Sequence, residues 1–164
     1  MPRTTTSRPS RRHGYFARMP RRIIAAHTVS HPFIDDVEVK PSTIDGNGVF
    51  ARRRLPPRRK LGELAGELIS QREARRRART LKRIAIVEFD DGMAIDASVG
   101  GNAFRYTNHS CAPNAYLRII GRRVEFYSLR AIKPGEEITC RYGDTQHEGT
   151  VPCRCGRGKC REYL

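Results

Sequence analysis

Arg105-Tyr106-Thr107-Asn108-His109-Ser110-Cys111-Ala112-Pro113-Asn114 gathers two amide side chains, an imidazole, a serine hydroxyl, a thiol and a proline into ten consecutive residues. Asn and Ser bond readily to nearby backbone, and Pro113 biases Ala112 away from helix, so the stretch reads as a loop that holds polar groups rigidly. A loop of that composition is a candidate site.

Around it, 164 residues with 38% apolar content make one ordinary domain plus tails. The formal charge of +15 comes from 32 basic against 17 acidic residues. That balance favours contact with polyanions, or a solubilising surface, and keeps nucleic acid among the possible partners. Residues 1 to 34 contain no Asp or Glu and carry seven arginines among Ser, Thr and Pro. Such a composition buries little apolar surface, so residues 1 to 32 read as a disordered basic tail. A solvated tail is preferred there over a DNA-binding arm or a transit peptide. No run approaches the ~20 apolar residues of a membrane span.

Along the chain, Asp36 to Lys40 alternates as a short strand, and the Gly46-Asn47-Gly48-Val49-Phe50 segment follows as a two-glycine turn. Leu61 to Ile69 reads as a strand interrupted by Gly66. Ser70-Gln71-Arg72-Glu73 has the form of a reciprocal capping box, predicting a helix from about Gln71 to about Leu81 with arginines nearly all the way round. Ile84 to Ile95, turning at Asp90-Asp91-Gly92, and Tyr116 to Leu129, turning at Gly121, read as hairpins. Lys133-Pro134-Gly135 is a turn that leads into a strand from Ile138 to Arg141, which delivers Tyr142. Many short strands and one helix, without strand-helix alternation, make the chain mainly β and exclude a doubly wound nucleotide fold.

Five cysteines, three of them in the tail Cys153-Arg154-Cys155-Gly156-Arg157-Gly158-Lys159-Cys160, cannot all pair as disulfides. The Cys-x-Cys-x4-Cys spacing brings three thiolates together and wants a fourth ligand for a tetrahedral metal. A disulfide among them, with one thiol left over, is the weaker reading.

Four pieces now stand in order: the Gly46 turn, the Asn108-His109-Ser110-Cys111 stretch, Gly135-Glu136-Glu137-Ile138-Thr139-Cys140-Arg141-Tyr142-Gly143, and the cysteine tail. Together they resemble the SET-domain protein lysine methyltransferases over roughly residues 33 to 164. The resemblance implies several short curved sheets around a pseudoknot, where the Asn108-His109 segment meets the one carrying Tyr142. It implies a SET domain over 33 to 143 and a post-SET zinc-binding segment over 144 to 164. No cysteine precedes Cys111, so the likeness is to a minimal form without a pre-SET cluster.

The activity implied is methyl transfer from S-adenosylmethionine to a lysine side chain of a protein. Gly46, Asn47, Gly48, Arg105, Tyr106, Asn108, His109 and Tyr142 become the cofactor residues, with His109 acting largely through its backbone and Tyr142 also catalytic. Leu64, Cys140 and Tyr142 would line the lysine channel. Cys111 becomes the fourth ligand beside Cys153, Cys155 and Cys160 of a structural Zn²⁺. The chemistry agrees: an in-line displacement needs alignment, worth up to ~7–11 kcal/mol, and an apolar channel that favours loss of the ammonium proton.

Leu64 and Cys140 stand where the family commonly has a tyrosine and an aromatic, which implies a wider channel that accepts already methylated lysine. The acceptors implied are histones or bacterial nucleoid proteins, neutralised on DNA against this chain's own positive charge. The location that follows is nuclear for a eukaryotic source, and cytoplasmic at the nucleoid for a bacterial one. The competing reading is a catalytically silent zinc-containing module that binds nucleic acid or chromatin.

Overall fold

The computed structural model describes residues 34–81, 83–143 and 151–164. The basic tail read over residues 1 to 32 lies outside the described residues, as does the stretch 144–150 that would open the zinc-binding segment.

Strand β1 (Val37–Pro41) and strand β2 (Asn47–Ala51) form an antiparallel pair, turning through Gly46 at a φ of 46°. β2 pairs in turn with the last strand of the chain. Two further three-stranded sheets hold the remaining strands: β3 (Lys60–Glu63), β4 (Glu67–Ser70), β5 (Ile86–Glu88), β6 (Met93–Asp96), β8 (Ala115–Ile120) and β9 (Arg123–Ser128). One has the order β3-β9-β8 and the other β4-β6-β5. Both anticipated hairpins are present, as β5/β6 and β8/β9.

The 105–114 stretch is more ordered than a loop. A short 3-10 turn, Ala103–Tyr106, is capped by Asn102 and leads into β7 (Asn108–His109). β7 pairs in parallel with β10 (Glu137–Cys140), with Thr139 opposite Asn108 and Cys140 opposite His109. The four-stranded sheet therefore runs β1-β2-β10-β7, antiparallel except at its last seam. A parallel neighbour requires a crossover, and the β8/β9 hairpin supplies it. Asn114 locks the crossing: its buried side chain accepts from the Thr139 amide at 2.9 Å and donates to the Glu137 carbonyl at 2.7 Å.

Two sequence expectations are revised. The Leu61 to Ile69 strand is two strands in different sheets, because Gly66 lies so close to β6 that a Cβ would fall 2.6 Å from the Asp96 carbonyl oxygen. Helix α1 spans only Gln71–Ala78, since Thr80 folds its amide and hydroxyl back onto the Arg77 carbonyl. Ser70 does cap the first turn, accepting from the Glu73 amide. The Glu73 carboxylate does not complete the box. It holds Arg76 at 2.7 Å and Arg77 at 2.9 Å instead. Nor are all the helix arginines solvated, since Arg77 reaches the fully buried carboxylate of Asp96 at 2.9 Å.

The main core is one apolar cluster in which Val49, Val124, Ile132 and Ile138 are wholly enclosed. Phe104 stacks on Phe126 with ring centroids 4.7 Å apart. Leu64 and Cys140 belong to this cluster, and Tyr142 packs against its edge. The seam carrying Asn108 and His109 is thus fixed from below by the core. Among the described residues no helix is long and apolar enough to cross a membrane.

Candidate active site and metal centre

Asn108 sits at the end of the sheet, where β7 brings it over the glycine turn. Its amide nitrogen donates to the carbonyls of Asp45 (3.2 Å) and Asn47 (3.1 Å) and to Glu137 Oε1 (2.8 Å). Glu137 takes the Ser42 hydroxyl on both carboxylate oxygens, at 2.8 and 2.9 Å. Gly48 faces this carboxylate: a Cβ there would stand 2.2 Å from Glu137 Oε1, so the end of that side chain would have to move. The turn, the Asn108 strand and β10 are therefore cinched by one carboxylate. Sequence reasoning quoted Glu137 without giving it a role. The available signal was the pair Glu136-Glu137 in a basic chain, whose alternation along a strand sends the two carboxylates to opposite sides. Glu136 turns to Arg130 and Asn114.

Tyr142 follows β10 and returns to the same seam. Its hydroxyl donates to the Thr107 carbonyl at 2.8 Å, and its amide donates to His109 Nδ1 at 3.0 Å. Burial pushes the phenol well above its ordinary pKa, helped by the acidic groups of Cys140, Asp45 and Glu137, so it stays neutral. Burial likewise pushes the Cys140 thiol up to about 12. The Thr107 hydroxyl oxygen is buried with no hydrogen-bond partner, beside the carbonyl that receives Tyr142. Nothing in the sequence reading singled it out.

The His109 imidazole lies between Tyr142 and Cys111, its Nδ1 accepting from the Tyr142 amide and its Nε2 standing 3.4 Å from Cys111 Sγ. Burial first, and then the charges of Arg161 and Arg141, bring its pKa down to about 4. The neutral ring stands edge-on to Tyr142 with centroids 5.3 Å apart. Arg105, by contrast, lays its guanidinium over the Tyr106 ring, 5.1 Å from the centroid, one turn before the seam.

The four sulfurs of Cys111, Cys153, Cys155 and Cys160 lie within 4.8 Å of one another. Cys111 is 3.9 Å from both Cys153 and Cys160, and Cys155 is 3.7 Å from Cys160. A tetrahedral ion with Zn–S near 2.3 Å sets its ligands about 3.8 Å apart, so the donor set fits zinc. Burial alone would raise the Cys155 thiol, but backbone hydrogen bonds at Cys111 and Arg157 and the neighbouring Cys153 and Cys160 thiols lower it. The tail closes on itself through the Cys153 amide, which donates to the Glu162 carbonyl, and a bridge from Pro152 to Tyr163. Cys140 stays apart from this group, as the sequence suggested.

The sulfonium donor implied by the resemblance is cationic, and the seam is rich in acceptors: the carbonyls of Asp45, Asn47 and Thr107 and the Glu137 carboxylate. That chemistry fits such a group.

A strand pair that delivers an amide, an imidazole and a buried phenol to one seam, beside a four-thiolate cluster, agrees with the comparisons. The SET-domain profile matches residues 46–143. The histone-lysine N-methyltransferase trithorax of Drosophila virilis is 33% identical over 145 residues, covering 84% of this chain and 4% of that protein. The H3 lysine-4 specific enzyme of Schizosaccharomyces pombe is 37% identical over 133 residues, covering 76% of this chain and 14% of that protein. The H3 lysine-36 specific enzyme of Aspergillus fumigatus is 33% identical over 129 residues, covering 73% and 13% respectively. The chain belongs to the SET-domain family. It spans only a small part of these relatives' own length.

Proposed function

We propose that the protein transfers methyl groups from S-adenosylmethionine to a lysine side chain, with histones or other DNA-associated proteins as acceptors. The observation that carries this is the neutral Tyr142 phenol, fixed at its amide by His109 and at its hydroxyl by the Thr107 carbonyl.

When bound, the cofactor supplies an electrophilic methyl carbon. The chain's own residues do the rest. Asn108, Asn47, Gly46 and Gly48 form the acceptor-lined cradle, which Glu137 holds shut. Arg105 and Tyr106, which precede Asn108 in the chain and pack on each other, complete the cofactor residues. Tyr142 aligns the incoming amine without competing as a nucleophile, because a neutral phenol is a poor one. Leu64 and Cys140, at 8% and 1% exposure, form an apolar wall beside Tyr142 that favours the uncharged amine. Zn²⁺ on Cys111, Cys153, Cys155 and Cys160 is structural and ties residues 144 to 164 onto the SET domain of 33 to 143.

Histone acceptors are supported by the names of the relatives, and imply a nuclear place in a eukaryote or a nucleoid one in a bacterium. The test is incubation of the zinc-replete protein with methyl-labelled cofactor and histones, free and DNA-bound. Label on lysine in the wild type and its loss in Tyr142→Phe are expected. Absence of label together with no thermal stabilisation by saturating cofactor overturns the proposal, since a ligand bound only to the folded state must raise stability.

A further inference from the structure

The His109 imidazole touches both functional centres at once. On one side Nδ1 stands 3.0 Å from the Tyr142 amide nitrogen; on the other Nε2 stands 3.4 Å from Cys111 Sγ. A backbone N–H can only donate, so Nδ1 must be the acceptor and carry no proton. In the neutral ring the proton is then on Nε2, aimed at the sulfur. An N–H facing a thiolate is the favourable polarity, and a sulfur drawn towards a metal is held where that bond forms. Cys111 Sγ also accepts from the Arg161 amide at 3.4 Å, and Arg141 donates to the Cys111 carbonyl at 2.9 Å, so the sulfur is fixed from the tail as well.

We propose that His109 is a positioning residue that transmits occupancy of the four-thiolate site to Tyr142, through a chain from Cys111 Sγ to Nε2–H, across the ring, and from Nδ1 to the Tyr142 amide. When metal fixes Cys111, the ring is fixed by its sulfur contact and the Tyr142 amide keeps its acceptor. When the metal leaves, Cys111 is released, the ring turns, and the amide is exposed. Tyr142 then loses one of its two tethers while the other, its hydroxyl on Thr107, cannot hold the backbone alone. This deepens the enzyme reading and rests on it only for the consequence in turnover. The coupling itself is a property of the free protein.

The decisive measurement is hydrogen exchange at the Tyr142 amide, with zinc and after chelation, in the full chain. Asparagine at this position keeps an acceptor near Nδ1 but cannot reach the sulfur; glutamine keeps a donor near Nε2 but not the Tyr142 acceptor. In the wild type, zinc slows exchange at Tyr142 by about tenfold, as expected for one hydrogen bond of this kind. In His109→Asn the amide remains protected but its exchange changes less than about twofold on chelation, and zinc passes to a competing chelator severalfold more readily. In His109→Gln zinc is retained as in the wild type while the amide exchanges fast in either state. Equal zinc dependence in His109→Asn and wild type overturns the proposal, because the tail would then be protecting Tyr142 without the ring. A protein that takes up no zinc overturns it too. Should the coupling appear while no methyl transfer is found, the enzyme reading fails and the relay stands.

Discussion

The Asn108 side chain donates to Glu137 Oε1 at 2.8 Å across the seam of strands β7 and β10, and the same carboxylate stands where a Cβ at Gly48 would fall. One acid therefore sets the spacing between the glycine turn and the asparagine strand. Glu137→Ala removes the shortest of the three acceptors of the Asn108 amide and the carboxylate that takes the Ser42 hydroxyl. Bonds to a charged partner are worth about 1.5–3 kcal/mol, and a loss of that size in urea unfolding is expected. Glu137→Gln, which keeps the shape and one acceptor, loses less. Gly48→Ala weakens cofactor binding in titration calorimetry in the same direction, because the new methyl displaces the carboxylate from Asn108.

Tyr142→Phe separates alignment from folding. The hydroxyl makes one bond, to the Thr107 carbonyl, so unfolding free energy changes by no more than about 1 kcal/mol. Turnover with saturating cofactor falls by about 10²-fold, the cost of a misplaced reacting group. Equal rates for the two proteins in a methyl-transfer assay would remove Tyr142 from the mechanism.

Cys155→Ser and Cys140→Ser make a matched pair. The first removes a sulfur from the cluster and is expected to abolish stoichiometric zinc, measured by atomic absorption, and to lower Tm. The second removes a thiol outside the cluster, so metal content stays at the wild-type level.

The acid limb of stability follows from Glu136. Burial opposes its charge, but Arg130, the Lys133 amide and Asn114 bring its pKa down to about 2 from an ordinary 4.5. A depressed carboxylate pKa means that the ionised form stabilises the fold. Its contribution is complete above pH 4.5 and is lost as pH falls towards 2. Arg130 is half exposed, so screening leaves about 1 kcal/mol. Glu136→Gln should flatten denaturant midpoints against pH across that window, with wild type and variant converging at its acid end.

In the proposed lysine channel, Leu64 and Cys140 in place of aromatics would leave room for a methylated amine. Mass spectrometry of the products is expected to show di- or trimethyl lysine, and Leu64→Tyr to shift the profile towards monomethyl. A purely monomethyl product from the wild type contradicts this reading of the wall.

Motif order made the family and the mainly β class readable from the chain itself, and the spacing of Cys153, Cys155 and Cys160 made a metal readable without any fold. Hairpins at Asp90-Asp91-Gly92 and Gly121 were legible because turn chemistry is local. The break at Gly66 was not, since its cause is the backbone of β6 brought close from thirty positions away in sequence. The helix illustrates the same division. Ser70 acts on the amide of a near neighbour and Glu73 on Arg76 and Arg77 of its own helix, whereas Arg77 also reaches Asp96, a partner that tertiary packing supplied.

The sequence by itself determined which chemical groups this protein owns: an amide, an imidazole, a phenol and four thiols, in an order that few folds use. Only the tertiary structure decided how they are joined. It brought β7 alongside β10 in parallel, set Glu137 beneath Asn108, and turned His109 so that one face meets Tyr142 and the other Cys111. The reason is physical: a residue's type and its neighbours fix its donors and acceptors, but which donor meets which acceptor over many intervening residues depends on the burial that closes the chain on itself.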